Sequence, residues 1–493
     1  MPKRLLRLDG RLCLCSPEEP LRYTALSYCW GGYKHHQTES SNVAGRYEDI
    51  DYSTLPQTLK DAILFTRKLG VDYIWIDSIC IVQDDRDEWA EEAAKMADIY
   101  SGAYVVLAAT RATNAAEGFL QHHSDPYEIT SRTSAEQTFT IQAHHVNNHI
   151  YNDTIRLNNQ PLSRRGWCLQ EELLAPRILH FLPSEVYYAC KETGHCECGY
   201  ARGHRSGYHI RWPPLISVNE RDNIPFWCHS WLEIVRNCSK RSFTFPEDVL
   251  PAISGLAQRI GSMHTGRYIA GIWEASIAFQ LGWYGDASSP DLLSPTITAV
   301  AKPTFSWITS PLPVNHPTWF FDVYSPMCDL ISARLITATS DPFGRLTYAS
   351  ITLHGQQLPG IELATALSNR TSDIHDKVRV RRTLYEIPSV ITDLGQRFPS
   401  AATDLVRKFP RRISFDKNYT GISSVDRNYN GVSSVLDWSS VTCFSLYIAS
   451  DRLCMLLLRQ CTENETYSRV GLAYGIPKAW VNTYATECTI TIE

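Results

Sequence analysis

Val71-Asp-Tyr-Ile-Trp-Ile-Asp-Ser-Ile-Cys-Ile-Val82 is apolar almost without interruption. A run of this kind reads as a strand buried on both faces, and such strands belong to parallel sheets covered by helices. One position resists the reading. Asp77 places an ionisable group inside the apolar run, where a carboxylate must be paired, hydrogen-bonded or shifted in pKa. A structural Asp bonded to the N–H groups of the next loop and a functional Asp account for it equally well.

The neighbouring segments alternate strand and helix. Residues 22–29 (RYTALSYC) are rich in β-formers and leave their strand at Trp30-Gly31-Gly32. Thr54-Leu-Pro-Gln57 has the spacing of a capping box. Behind it Leu55, Leu59, Ala62, Ile63, Thr66 and Leu69 share one helical stripe, which Gly70 closes. Asp84, Asp85, Asp87 and Glu88 crowd the next helix start, where the macrodipole favours negative charge. Trp89, Ala93, Met96 and Tyr100 make that helix's buried stripe, and residues 103–109 (AYVVLAA) form the following strand. After a polar excursion over 121–160, bearing His122, His123, His144, His145 and His149, residues 161–190 resume with a helix and two strand-like runs. A solvated insertion explains the excursion better than a His-rich metal site.

This alternation predicts an α/β head, a doubly wound parallel sheet over residues 1–200. Over 201–320 the periodicity turns helical, with Trp227, Trp231, Ile234 and Val235 on one face. Leu250, Ile253, Leu256, Ala257 and Ile260 share another, and Ile269, Ile272, Trp273 and Ile277 a third. Residues 321–493 read as β-rich, with short alternating runs at 332–339, 346–353 and 443–493. The Ser-, Arg- and Asp-rich stretch 365–440 gives no assignment.

Composition narrows the function. The 493 residues carry 47 Lys and Arg against 52 Asp and Glu, a net charge of −5, which offers no footprint for nucleic acid or an anionic membrane. No apolar run approaches the roughly 20 residues that span a bilayer. The start, MPKRLLRLDGRL, lacks the apolar core of a secretory signal, so the expectation is a cytoplasmic protein. Fifteen cysteines, an odd number scattered over the chain, then read as reduced thiols without disulfides. Cys13–Cys15, and Cys190 with His195, Cys196 and Cys198, pair as Cys-x-Cys rather than at the usual zinc spacing, so no bound metal is expected. GxGxxG after a strand, the P-loop, HExxH, GxSxG and the EF-hand loop are all absent.

What remains is a group of residues at strand ends, where open parallel sheets bind ligands. Tyr28, Trp30 and Gly31 end the first strand of that sheet and Asp77 lies late in the next. In Arg164-Arg165-Gly166-Trp167-Cys168-Leu169-Gln170-Glu171-Glu172-Leu173-Leu174, helical spacing puts Trp167, Glu171 and Leu174 on one face, with Glu172 turned toward solvent. A carboxylate on an apolar face beside two arginines is either a structural ion pair or a site.

YTALSYCWGG, LPQTLKDAI, YIWIDSICIVQDD, the EW…E…MADIYSGAYVVLAAT run and LSRRGWCLQEELLAPRILHF closely resemble, in this order, the fungal heterokaryon-incompatibility (HET) domain. The resemblance covers about residues 22–190. FTFPEDVLPAISGLA, RYIAGIW and PTFSWITS resemble the body of stand-alone HET proteins, although PTFSWITS departs from the commoner Pro-Ser-Trp-Ser-Trp-Ala-Ser and His35-His36 is not part of the usual first loop. The family in turn resembles TIR domains. Tyr28-Cys29-Trp30-Gly31 is similar to their Ser-Phe-Arg-Gly strand exit, and Trp167 to Leu173 to their Trp-Cys-Leu-x-Glu-Leu, with Glu172 intervening.

In NAD-cleaving TIR domains that glutamate is catalytic, and the resemblance places it at Glu171. Breaking the nicotinamide–ribose bond builds positive charge on the ribose, which a nearby carboxylate stabilises. On this reading Glu171 and Asp77 are the catalytic candidates. Trp30 or Trp167 would stack on a ring, Arg164 or Arg165 would meet the pyrophosphate, and Tyr28 and Gly31 complete the substrate site. NAD would be substrate, with no cofactor. The resemblance implies a role in fungal non-self recognition and cell death, with a small-molecule substrate, a homo-oligomer or an NLR-type receptor as partners. Two other classes stay open: a biosynthetic cyclase or pericyclase with an aromatic-lined pocket, for which 13 Trp and 25 Tyr supply the side chains, and a non-catalytic assembly module.

Overall fold

The β-forming runs of the first 200 residues become strands, and all but one hairpin share a sheet. A computed structural model describes residues 1–32, 36–120, 127–132, 138–143, 160–183, 185–197, 202–203, 226–263, 265–286, 303–310, 312–317, 324–359, 379–382, 441–449, 452–461, 465–477 and 485–493. The chain divides into two compact units, Met1–Trp212 and Pro213–Glu493.

In the first unit the strands are β1 (Leu5–Arg7), β2 (Cys13–Cys15), β3 (Thr24–Ser27), β4 (Tyr73–Trp75), β5 (Val105–Ala108), the separate hairpin β6 (Tyr127–Arg132) and β7 (Thr138–Ala143), then β8 (Arg177–Phe181), β9 (Val186–Cys190), β10 (Gly194–Cys196) and β11 (Arg202–Gly203). The nine-stranded sheet runs β11-β10-β9-β8-β5-β3-β4-β1-β2. Its centre, β8-β5-β3-β4, is parallel. The margins are antiparallel, which corrects the expectation of a purely parallel sheet. Taken in chain order, the four parallel strands lie second-first-third-fourth. The order therefore reverses between β3 and β5, and in open α/β sheets a ligand crevice forms outside the carboxyl ends at that point.

Helices α1 (Val43–Glu48), α2 (Gln57–Lys68), α3 (Asp77–Cys80), α4 (Arg86–Gly102) and α5 (Cys168–Leu174) fill the connections. Leu59, Ala62, Ile63 and Thr66 of α2 are buried as the periodicity predicts, and Thr66 Oγ1 meets Thr24 Oγ1 of β3 at 2.8 Å. Leu69 lies beyond the last turn and is exposed. The expected capping box does not form: Pro56 is the cap residue, Gln57 Nε2 donates to Asp61, and Thr54 Oγ1 donates to the carbonyl of Asp51 in a preceding 3-10 turn.

The run 71–82 is also shorter as a strand than it reads. Only Tyr73–Trp75 pairs, and Asp77 begins a one-turn helix. Asp85 caps α4 through the N–H groups of Asp87 and Glu88. Met96 and Tyr100 of its stripe are buried, whereas Trp89 and Ala93 are half-buried. Glu88 turns inward: Arg4 grips it with two bonds of 2.6 and 2.8 Å, Lys3 adds a third at 2.7 Å, and the Val82 N–H a fourth at 2.9 Å.

The second unit mixes helices, over Phe226–Cys238, Ser254–Gly261 and Ile277–Gln280, with β structure. The helical reading fails at Ile269–Trp273. Tyr268–Ile269 and Ile272–Trp273 form a tight hairpin, β12 and β13, whose turn residues Ala270 and Gly271 both have positive φ. Indole N–H groups of Trp231 and Trp307 converge on the Gly271 carbonyl at 3.0 and 2.8 Å, which holds the turn. Tyr284–Gly285 (β14) pairs with Val314–Asn315 (β15).

The eight-stranded sheet holds β16 (Tyr324–Pro326), β17 (Cys328–Thr337), β18 (Leu346–Pro359), β19 (Arg379–Arg382), β20 (Val441–Ala449), β21 (Arg452–Gln460), β22 (Tyr467–Pro477) and β23 (Thr486–Ile492). Because β18 pairs with both β20 and β23, the path β20-β21-β22-β23-β18 closes into a ring. Cys443, Leu453, Met455, Leu457 and Ala473 belong to its apolar core.

The five histidines of the polar excursion, His35, Cys198, and nearly all of 365–440 lie outside the described residues. Among the described residues no helix is long and apolar enough to cross a membrane, and no group of three or more His, Cys, Asp or Glu is arranged to hold a metal ion.

Candidate functional site

The parallel strands end together, and their exits carry the polar residues. β3 stops at Ser27 and leaves through Tyr28, Cys29 and Trp30 into Gly31, whose φ of +65° suits glycine. A Cβ on Gly31 would lie 2.0 Å from Asn114 Cβ, so glycine is also demanded by the close approach of the chain after β5. β4 ends at Trp75, and Asp77 follows at the first position of α3.

Trp30 Nε1 donates to Asp77 Oδ2 at 2.9 Å, and the Ser78 N–H donates to Oδ1 at 2.7 Å. Tyr28 Oη donates to Ser78 Oγ at 2.7 Å. The exits of two neighbouring strands are thereby tied across Asp77.

The third contribution comes from the segment before β8. Arg165 donates to the carbonyl of Tyr28, and Glu171 of α5 accepts from Ser27 Oγ. The Ser27 hydroxyl also lies 3.7 Å from Cys168 Sγ. Five of the eight residues singled out from the sequence, Tyr28, Trp30, Asp77, Arg165 and Glu171, thus gather around one strand-end cluster, with Gly31 shaping its rim. Trp167 does not join through its ring, which packs edge-on against Trp89 with centroids 5.9 Å apart. Arg164 is exposed.

Electrostatics separates the members. Burial pushes the Asp77 carboxyl up to about 6; Arg165 draws it down and Glu171 drives it up. Burial also raises Glu171, against the pull of Arg165 and of hydrogen bonds from Ser27, Cys168 and Tyr100. Burial works against the charge on Arg165, but the acidic groups around it, Glu171 and Asp77 among them, outweigh it and keep the guanidinium protonated. Cys29 is driven up to about 11 by burial, so it stays a thiol.

Two carboxyl groups therefore share one arginine. Glu171 is 4% exposed and enclosed, while Asp77 is half-buried with an affinity for protons suited to exchange near neutrality. The arrangement can offset a positive charge that develops beside it and can take up a proton. Ser27, Cys168 and Tyr100 were not singled out by sequence reasoning. Ser27 had one available signal, a hydroxyl ending an otherwise apolar strand at the carboxyl edge.

Residues 23–171 match the heterokaryon incompatibility protein (HET) family. A stretch of 98 residues is 34% identical to heterokaryon incompatibility protein 6, OR allele, of Neurospora crassa, covering 18% of this chain and 14% of that protein. The chain thus spans about one seventh of the length of the curated relative it matches. No solved structure matches the chain. Both matches support the HET family for the first unit, and the family match ends on Glu171.

Proposed function

We propose that this chain acts in fungal heterokaryon incompatibility, and that the strand-end cluster of its first unit cleaves the nicotinamide–ribose bond of NAD. The family match supports the biological role. The chemistry rests on one observation: Asp77 and Glu171 both interact with the Arg165 charge at the carboxyl end of β3, the strand that borders the reversal of the parallel order.

In the proposed reaction the C–N bond breaks with its electron pair passing to the pyridinium nitrogen, which leaves as neutral nicotinamide. Positive charge then develops on the ribose, and Glu171 and Asp77 offset it in a setting of low dielectric. Water adds at the ribose carbon and gives its proton to Asp77. Trp30, fixed edge-on by its bond to Asp77, offers its face to a planar ring. Exposed Arg164 is free of the packing that holds Arg165, so it is the better candidate for the pyrophosphate. Assembly with copies of itself or with an NLR-type receptor belongs to the same proposal.

Chromatography of NAD incubated with the purified full chain, at high protein concentration and with a crowding agent to favour assembly, tests the reading. Nicotinamide and ADP-ribose are expected in equal amounts. Unchanged NAD would overturn it.

A further inference from the structure

Ser27 closes β3, in the sequence Thr24-Ala-Leu-Ser27, and is 3% exposed. It stands in register with Ala108 at the end of β5, so a small side chain lies beside it and leaves its hydroxyl open to α5. There it meets the Glu171 carboxylate. We infer that Ser27 is a positioning residue, whose hydroxyl fixes the orientation of Glu171 and holds it ionised before positive charge develops on a bound ligand.

A count of protons carries the inference. A hydroxyl has one proton to donate. Tyr100 Oη, the other hydroxyl near Glu171, has its single proton drawn by the Leu26 carbonyl at 3.1 Å, so the bond it offers Glu171 competes with that one. The Cys168 thiol is a weak donor and stays protonated, because burial drives it well above its ordinary pKa. Ser27 is the strong donor to Glu171 whose proton no backbone carbonyl draws away. Its proton has two acceptors within reach, the carboxylate and the Cys168 sulfur, and the charged oxygen is the better one. Removing the hydroxyl leaves a buried carboxylate with a weaker set of donors and shifts it toward its neutral form.

A serine that merely tied β3 to α5 would register in thermal stability alone, whereas a positioning serine also changes where Glu171 takes up its proton. The catalytic consequence rests on the NAD-cleaving reading; the protonation consequence does not. Difference infrared spectroscopy of the full chain over a pH series follows the Glu171 carboxyl band, assigned by its loss in Glu171→Gln, alongside the pH profile of nicotinamide release.

In Ser27→Ala the Glu171 midpoint should rise by about one to two pH units, and the acid limb of nicotinamide release should move with it. Ser27→Thr, which keeps the hydroxyl, should restore both. A moved midpoint in a protein that releases no nicotinamide upholds the positioning role and removes the NAD-cleaving reading. A midpoint unchanged in folded Ser27→Ala overturns the inference. Should Ser27→Ala fail to fold, Ser27→Cys, a weaker donor of similar shape, reads the same quantity: a smaller upward shift supports the role and no shift overturns it.

Discussion

At the antiparallel margin of the first unit's sheet, Arg4 and Glu88 face each other at 7% and 8% exposure, and every oxygen of the carboxylate accepts a strong bond. At the carboxyl ends of β3 and β4, Asp77 and Glu171 share Arg165 between them. Burial pushes both groups of carboxylates upward. At Glu88 the hydrogen bonds from Arg4, Lys3 and Val82 overcome burial and bring it down to about 2. At Asp77 burial prevails, and the carboxyl stays near 6. One cluster meets its single carboxylate with two cations, Arg4 and Lys3, and joins β1 to α4. The other sets two carboxyl groups against one arginine, and on the proposed function that surplus receives the positive charge of the ligand.

The paired cluster should therefore fail as a unit. Arg4→Met removes two of the four bonds to the buried Glu88, leaving Lys3 and the Val82 N–H, and should cost about 3 kcal/mol in a denaturant melt, with Arg4→Met/Glu88→Leu recovering most of it. The folded-state pKa of Glu88 is depressed, so its contribution is present above its unfolded pKa and disappears as pH falls through about 2. A melt in which Arg4→Met costs under 1 kcal/mol would erase the contrast between the clusters.

At the strand-end cluster the backbone matters before the charges do. Gly31→Ala combines positive φ with a clash against Asn114 and should cost about 2–4 kcal/mol, measured by the same melt.

Asp77 carries the opposite sign to Glu88. Its folded-state pKa is raised from 3.8 to about 6, so the native state binds the proton more tightly and stability falls as pH rises between those values. The stability of the wild type relative to Asp77→Asn should decline by about 2–3 kcal/mol from pH 4 to pH 7. Equal pH dependence in both proteins would remove the perturbed carboxyl. The smallest expected effect is that of Trp30→Phe, which deletes one donor to Asp77 while keeping an aromatic face. It should cost about 1 kcal/mol and raise the Asp77 midpoint further, both readable from the same pH series.

How far the sequence led differs between these regions for physical reasons. β3, β5 and the buried face of α2 were legible because local periodicity and helix closure agree with the final packing. The strand at 71–82 was overextended because a continuous apolar run has no period. The short helix starting at Asp77 and the two-residue hairpin at Ile269–Trp273 are equally apolar, so they carry no contrast. Asp77, Trp30 and Glu171 were found because they stand at strand exits or on a helical face. Arg4 with Glu88 was missed because 84 residues separate them and the helix-start reading already explained Glu88. Ser27 was missed because a serine at the end of a strand looks the same whether or not a carboxylate lies across from it.

Whether Glu171 is a working charge or a second structural pair decides between the two clusters. Nicotinamide release and thermal unfolding should be measured together on the wild type and Glu171→Gln, which keeps size and hydrogen bonding but removes the charge. Release by the wild type is expected, with its loss in Glu171→Gln and a melting temperature within a few degrees of the wild type, since about 1 kcal/mol shifts a domain of this size by only 2–4 °C. Absence of nicotinamide from the wild type, or a collapse of the Glu171→Gln fold comparable to that of Arg4→Met, would contradict a working charge.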